Sequence, residues 1–552
     1  MKLAHPLLFV AVALSACASV GTVTTAAPVP PPIVAQAPPV SPAPAATPSR
    51  KPTPAAAPSN WQLLDENADG VPGISSERAM RELLNGVQPK RTVVVAVIDG
   101  GTDTAHVDLR ANLWSNAREI ARNGVDDDGN GYIDDVHGWN FIGGKDGRDV
   151  DHDTHEVTRQ YVRCKSAMPP YPADRCAAIA ADFEKTRSDA ERTLANVRQI
   201  DSVFTGISRV LSAAAGTDSL TTDKVRALPA SDPTLARARS IYLQLSAQGL
   251  TRHDIDEGLK SYESRVKYGL NPSYDSRSIV GDNYADVAER KYGNADVTGP
   301  DAGHGTHVAG IIGAVRGNGI GIDGIAPAVK LMIVRTVPDG DERDKDVANA
   351  IRYATDNGAQ VINMSFGKGY SPDKSAVDDA VKYADAHGVL MVHAAGNDGA
   401  DLADKQNFPT PVYLAGGRAQ NWIEVGASTW KGGDSLAATF SNYNHDLVDV
   451  FAPGVDILST IPGGKYERDS GTSMASPVVT GLAAMLMSYF PSLTAADVRK
   501  IILTSAASHA AQVVARPGGG VKVPFASLSV TGGVVNAYEA VKMAQQMTAT
   551  RP

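Results

Sequence analysis

Cysteines number only three in this 552-residue chain, the net charge is a modest −9, and no unbroken apolar run is long enough to cross a bilayer comfortably. The small charge gives no electrostatic reason to expect nucleic acid or an anionic surface as partner. The uncharged run from Met474 to Phe490 is short for a membrane span and is interrupted by Ser476, Pro477, Thr480 and Gly481. Motifs are missing too. There is no HExxH arrangement, and His304 and His307 have no third ligand at a defined spacing, which argues against zinc. The absence of a GxSxG elbow disfavours an esterase built around one. What is present, 43% hydrophobic and 20% charged residues, can bury a large core, and the length allows two to four domains.

The amino-terminal end carries an address. Residues 1 to 17, MKLAHPLLFVAVALSAC, combine a lysine, a short apolar stretch and small residues, the layout of an export signal. Leu14, Ser15, Ala16 and Cys17 resemble the lipobox of bacterial lipoproteins, which implies cleavage before Cys17 and a lipid on its thiol; an ordinary cleavage site beside an unmodified cysteine is the alternative. Ala18, in place of aspartate, is similar to the sorting pattern that leads to the outer membrane. The expected location is therefore the bacterial cell envelope, on a membrane anchor. Residues 18 to 60 read as a tether so rich in proline and alanine that it cannot form a packed core. At about 3 Å per residue the stretch from 27 to 59 would hold a domain on the order of 100 Å from its anchor. With Cys17 set aside, Cys164 and Cys176 remain, twelve positions apart in an oxidising compartment, either bridged or as two free thiols.

The middle of the chain alternates. TVVVAVID, ending on Asp99, is a β-branched run of the kind buried on both faces of a parallel sheet. KLMIVRTV (330 to 337), AQVINMSFG (359 to 367) and GVLMVHAAGN (388 to 397) repeat it, with helical stretches between them that stop on Gly358 and Gly388. The pattern predicts a doubly wound, mostly parallel α/β sheet with helices on both faces, whose sites lie beyond the carboxyl ends of the strands. Three strand ends carry Asp99, Ser365 and Asn397. GHGTHVAGIIG (303 to 313) sets His304 at a helix start, and GTSMASPVVTG (471 to 481) sets Ser473 before an apolar helix, where Pro477 is expected in the first turn. Taken alone, Ser473 could equally be an N-cap and Asp99 a turn residue.

Together, Asp99 in AVIDGGTD, His304 in HGTHVAG, Asn397 in HAAGN and Ser473 in GTSMASP resemble, in order and context, the subtilisin-like serine proteases (subtilases, peptidase S8). The resemblance covers residues 61 to 147 and 281 to 545, with 546 to 552 left as a tail. It implies a serine endopeptidase using Asp99, His304 and Ser473 through an acyl-enzyme. Asn397 is implied as an oxyanion donor, and Ser365, Phe366 and Gly367 as the edge that pairs an extended peptide substrate. No cofactor is required for that chemistry, and a monomer is expected. A catalytically silent relative that binds peptides or proteins through the same cleft is the competing class.

Two departures from the family plan stand out. Only about thirty residues, Asn60 to Pro89, precede the first strand, too few for the usual pro-domain, so maturation is expected not to depend on one. Asp99 and His304 are 205 positions apart, and the gap holds two features of its own. DDDGNGYIDD (126 to 135) offers Asp126, Asp128 and Asn130 with Gly131 next, like the first half of an EF-hand loop, but the twelfth position is His137 and no bidentate glutamate stands there. Calcium or a solvated acidic turn both fit. Residues 148 to 280 read as a helical insertion: Ile179, Phe183, Ala190, Leu194, Val197, Phe204, Ile207 and Leu211 fall at helical spacing, and Thr251 with Asp254 opens a further helix that closes on Gly269. The insertion is either a surface elaboration or a neighbour of the cleft that limits which substrates enter.

Overall fold

The run ending on Asp99 forms strand β1 (Val93–Asp99) in the interior of a nine-stranded sheet in the computed structural model, which describes residues 51–168, 170–229 and 231–549. The export signal, Cys17 and the tether up to residue 50 lie outside the described residues. β2 (Gly138–Asn140), β3 (Val329–Arg335), β4 (Val361–Met364), β5 (Leu390–Ala394), β6 (Trp422–Ser428) and β7 (Val450–Pro453) are all parallel to β1, in the order β7-β6-β5-β4-β1-β3-β2. Gly533–Val534 and an antiparallel piece, Ala507–Ser508, extend the β7 side. A separate antiparallel hairpin joins β8 (Ile457–Ile461) to β9 (Lys465–Asp469). The doubly wound reading of the sequence is the observed fold.

Period-two alternation explains why β1 is apolar throughout. Val93, Val95 and Val97 point into one core, and Ala96 and Ile98 into the other. The first core is closed by α9 (Gly303–Gly313), α12 (Thr472–Tyr489), α13 (Ala495–Thr504) and α14 (Ala537–Ala549), the second by α10 (Asp344–Asp356) and α11 (Lys374–Ala386). The chain before β1, with the short helices α1 (Glu66–Asp69) and α2 (Ser76–Glu82), feeds Trp61, Leu63, Val71 and Ile74 into the first core.

The chain divides into two compact units, one of residues 52–194 and 259–549, the other containing 195–258. The expected insertion is therefore split: both of its ends belong to the unit that contains the sheet. In that unit α3 (Glu156–Cys164) is followed by the first part of the long α4 (Ala173–Ala215), and a disulfide joins Cys164 to Cys176 with Cα atoms 5.5 Å apart. Seven of the eight apolar positions read from the sequence, all but Ile207, are buried along α4. The second unit has its own small core of Leu211, Val225 and Ala238, with α5 (Thr222–Ala227) and α6 (Pro233–Ala247) capped by Thr221 and Asp232. α7 (Arg252–Ser264) opens on the reciprocal Thr251 and Asp254 bonds of a capping box, and α8 (Arg277–Val280) ends the region. No helix among the described residues is long and apolar enough to cross a membrane.

Candidate active site

Two helices start at the rim where the strands end. α9 begins beside Asp99 and finishes at the entry of β3, since a Cβ on Gly313 would stand 2.5 Å from Val329. α12 begins beside Asn397 and Ser365 and finishes where Lys90 N–H donates to Ser488 O, at 2.9 Å, just before β1. Both helices therefore run against the strands and point their amino termini at the same rim, which brings His304 and Ser473 there.

His304 Nδ1 is 2.8 Å from Asp99 Oδ1 and 3.0 Å from Oδ2. A carboxylate can only accept, so Nδ1 carries a proton, and in the neutral ring that tautomer leaves the lone pair on Nε2. Asp99 is 2% exposed and also accepts from Gly100 N–H at 2.7 Å. The approach of α9 needs glycine: a Cβ on Gly305 would lie 2.1 Å from Gly101 O and 3.1 Å from Asp99 Oδ1.

Ser473 is half-buried, and its Oγ donates to Ser365 O at 3.1 Å. Pro477 sits one turn further on than the sequence reading put it, inside the helix and not in its first turn. Its missing N–H frees the carbonyl of Ser473, and Ser365 Oγ donates to that oxygen at 3.0 Å instead. Ser365 Oγ is held in turn by Ser476 Oγ at 2.8 Å and by the Asn363 amide at 3.0 Å, while Thr480 Oγ1 donates to Asn363 Oδ1 at 2.8 Å. Sequence reasoning missed this buried network. Its signals were an asparagine inside an apolar strand and two hydroxyls four apart on an apolar helix.

Asn397 is oriented by Thr472. The N–H and the Oγ1 of Thr472 both lie 2.9 Å from Asn397 Oδ1, and an N–H can only donate, which fixes the amide with its oxygen toward the helix and its nitrogen free to face the rim. A Cβ on Gly471 would stand 3.5 Å from both Asn397 Nδ2 and Ser473 N, so two donors converge on one small volume. Such convergent donors can hold a developing oxyanion.

The segment after β4 has two sides. His393 Nε2 lies 2.9 Å from Phe366 O, and Lys368 exchanges backbone bonds with Phe408 at 3.1 and 2.8 Å. Residues 366 and 368 thus face inward, and by alternation Ser365 and Gly367 turn their backbone groups to the other side, where Ser365 O accepts from Ser473 Oγ.

The remaining candidates lie apart from this geometry. His307 is buried with Nε2 on Ile457 O at 3.0 Å and Glu467 O at 3.1 Å; burial lowers its pKa, and it anchors the β8–β9 hairpin. Glu119, Asp126 and Asp128 each offer an oxygen within 4.8 Å of the others, a hard donor set that suits calcium. Asn130 instead accepts from Tyr132 N–H at 2.7 Å and donates to Asp135 at 3.0 Å. Glu119 was missed because it precedes the acidic run by seven positions.

Residues 90–520 match the subtilase family, peptidase S8. The chain is 42% identical over 243 residues to the thermophilic serine proteinase of Bacillus sp. (strain AK1), an alignment covering 44% of this chain and 55% of that protein. It is 39% identical over 219 residues to an intracellular serine protease of Paenibacillus polymyxa, covering 39% of this chain and 62% of the relative. With subtilisin DY of Bacillus licheniformis the identity is 35% over 266 residues, 48% of this chain and 87% of that protein. The chain thus spans little more than half the length of the first two of these relatives.

Proposed function

This chain belongs to the subtilase family, and from that premise we propose that it is a serine endopeptidase acting on protein or peptide substrates. Ser473 attacks the scissile carbonyl while His304 Nε2 takes its proton, the hydroxyl first turning away from Ser365 O. Asp99 holds the imidazole in the required tautomer and stabilises the imidazolium. Asn397 Nδ2 and Ser473 N–H receive the oxyanion. His304 then returns the proton to the leaving amine, and water repeats the sequence to release the acyl group. An extended peptide pairs with Ser365 and Gly367 as an added strand.

The observation that carries this reading is the 2.8 Å Asp99–His304 pair at the rim where α12 presents Ser473. Labelling by a fluorophosphonate tests it: the parent reacts, Ser473→Ala does not, and His304→Ala is slowed by several orders of magnitude. Equal labelling of all three sinks the assignment and favours a silent peptide-binding relative.

Export with a lipid on Cys17, outer-membrane location and a structural calcium held by Glu119, Asp126 and Asp128 complete the proposal. An unmodified Cys17 in the mature chain by mass spectrometry counts against the anchor. A melting temperature unmoved by chelation counts against the calcium.

A further inference from the structure

We propose that the start of the insertion, Asp151 to Arg159, occupies one flank of the substrate cleft and, with Lys368, closes the cleft about three residues from Ser473. A substrate is then paired along the Ser365–Gly367 flank only. The proposal rests on the protease reading above and adds the number of subsites to it.

The flanks follow from topology. β1, which ends on Asp99, lies between β3 and β4, so the segments leaving β3 (336 to 342) and β4 (365 to 368) border the rim on either side. On the β3 side Asp339 is already paired through both of its backbone groups. Asp339 N–H donates to Asp151 O at 2.8 Å, Asp153 N–H donates to Asp339 O at 3.0 Å, and His152 bridges Asp339 in parallel register. Gly340, at φ +148°, has no room for a side chain because Asp153 O would lie 2.2 Å from its Cβ. Further along, Arg159 donates to Asp341 O and to Glu342 O, each at 3.1 Å. His155 and Glu156 N–H, both at 2.8 Å, take the Asp341 carboxylate. The insertion therefore supplies the strand and the donors that an incoming peptide would otherwise use.

Lys368 ties the flanks together. Its Nζ lies 2.9 Å from Glu342 O, 3.0 Å from Glu156 Oε2 and 2.8 Å from Asp344 Oδ1, which uses all three of its donors on two segments, the start of α3 and the chain entering α10. Lys368 is 5% exposed and Glu156 1%, so this contact is interior. Behind it, Tyr161 stacks on Phe183 with centroids 4.2 Å apart, and Tyr370 OH donates to Asp182 at 2.7 Å. From Ser365 to Lys368 is three residues, or about 10 Å of extended chain. A longer peptide must leave the cleft there.

Internally quenched peptides test this on the full chain, with zero to six residues added to either side of one cleavable core. The parent is expected to gain in kcat/KM over the first three added residues on one side and then to stay level within about twofold. In Glu156→Gln/Lys368→Met, which removes both charges together, the level region should begin at least one residue later. A parent whose kcat/KM climbs threefold or more per residue beyond the fourth on both sides overturns the inference, whether or not the variant folds. Loss of fluorophosphonate labelling in the parent would instead overturn the protease reading, so the two failures are distinguishable.

Discussion

Thr472 decides which way Asn397 faces, and under the proposed mechanism that makes a hydroxyl one residue before Ser473 a positioning group for the oxyanion. Asn397→Ala should lower kcat by about 10² to 10³, or roughly 3 to 4 kcal/mol of barrier, with KM little changed. Thr472→Val keeps the shape but leaves the Asn397 oxygen held by one N–H alone, so its loss should be near fivefold, about 1 kcal/mol. Steady-state kinetics on one peptide separates them; a Thr472→Val enzyme equal to the parent would remove Thr472 from the site. Asp99, His304, Asn397 and Ser473 were legible in the sequence because each sits in a run of glycine or small residues that lets backbones approach. Thr472 and the Asn363–Ser365–Ser476–Thr480 network were not, because a hydroxyl's partner across 75 or more residues is set by packing that no local pattern records.

At the scale of elements, α3 is held to the β3 and β4 flanks by buried charge, and its attachment should depend on pH in two directions. Burial pushes the Glu156 carboxyl up, but Arg159 and Lys368 outweigh it and bring its pKa down from 4.5 to about 2. Stability from Glu156 is thus complete above pH 4.5 and lost as pH falls toward 2. Glu342 has the opposite sign: burial dominates and raises its pKa from 4.5 to about 8, and its Oε1 has no partner among the described residues. Its contribution is complete below pH 4.5 and lost as pH rises to about 8. Denaturant unfolding against pH should therefore peak in mildly acidic solution, and Glu342→Gln should flatten the alkaline limb while leaving the acid limb in place. Identical profiles for the two proteins would exclude Glu342 as the titrating group. The helical character of this region was readable from its 3.6-residue period. That its first turn grips the cleft was not, since Glu156 and Lys368 are 212 positions apart and each alone reads as a solvated charge.

For the molecule as a whole, the segment between the tether and β1 joins distant parts of the chain to one core. Trp61 is fully buried and donates Nε1–H to Val455 O at 2.9 Å, Ala537 N–H reaches Ile74 O at 2.6 Å, and Arg78 lies 3.9 Å over the Tyr538 ring. Glu77 pairs with Arg316 at 2.6 Å. The strap thus touches the loop before β8, the start of α14 and the chain just beyond α9, while its apolar residues share a core with α12. Trp61→Ala should cost about 3 to 5 kcal/mol of unfolding free energy, and Trp61→Phe should recover most of it, short of roughly 1 kcal/mol for the lost hydrogen bond. Chemical denaturation reads both; a Trp61→Ala midpoint equal to the parent's would mean that the strap is not part of the cooperative core. The same packing restricts processing. A cut after Thr92 would strip Trp61, Leu63, Val71, Ile74, Ala79 and Leu84 from beside α12, the helix that carries Ser473. Amino-terminal sequencing of labelled enzyme should therefore find a start upstream of Trp61, and an active product beginning beyond Thr92 would contradict the role assigned to the strap.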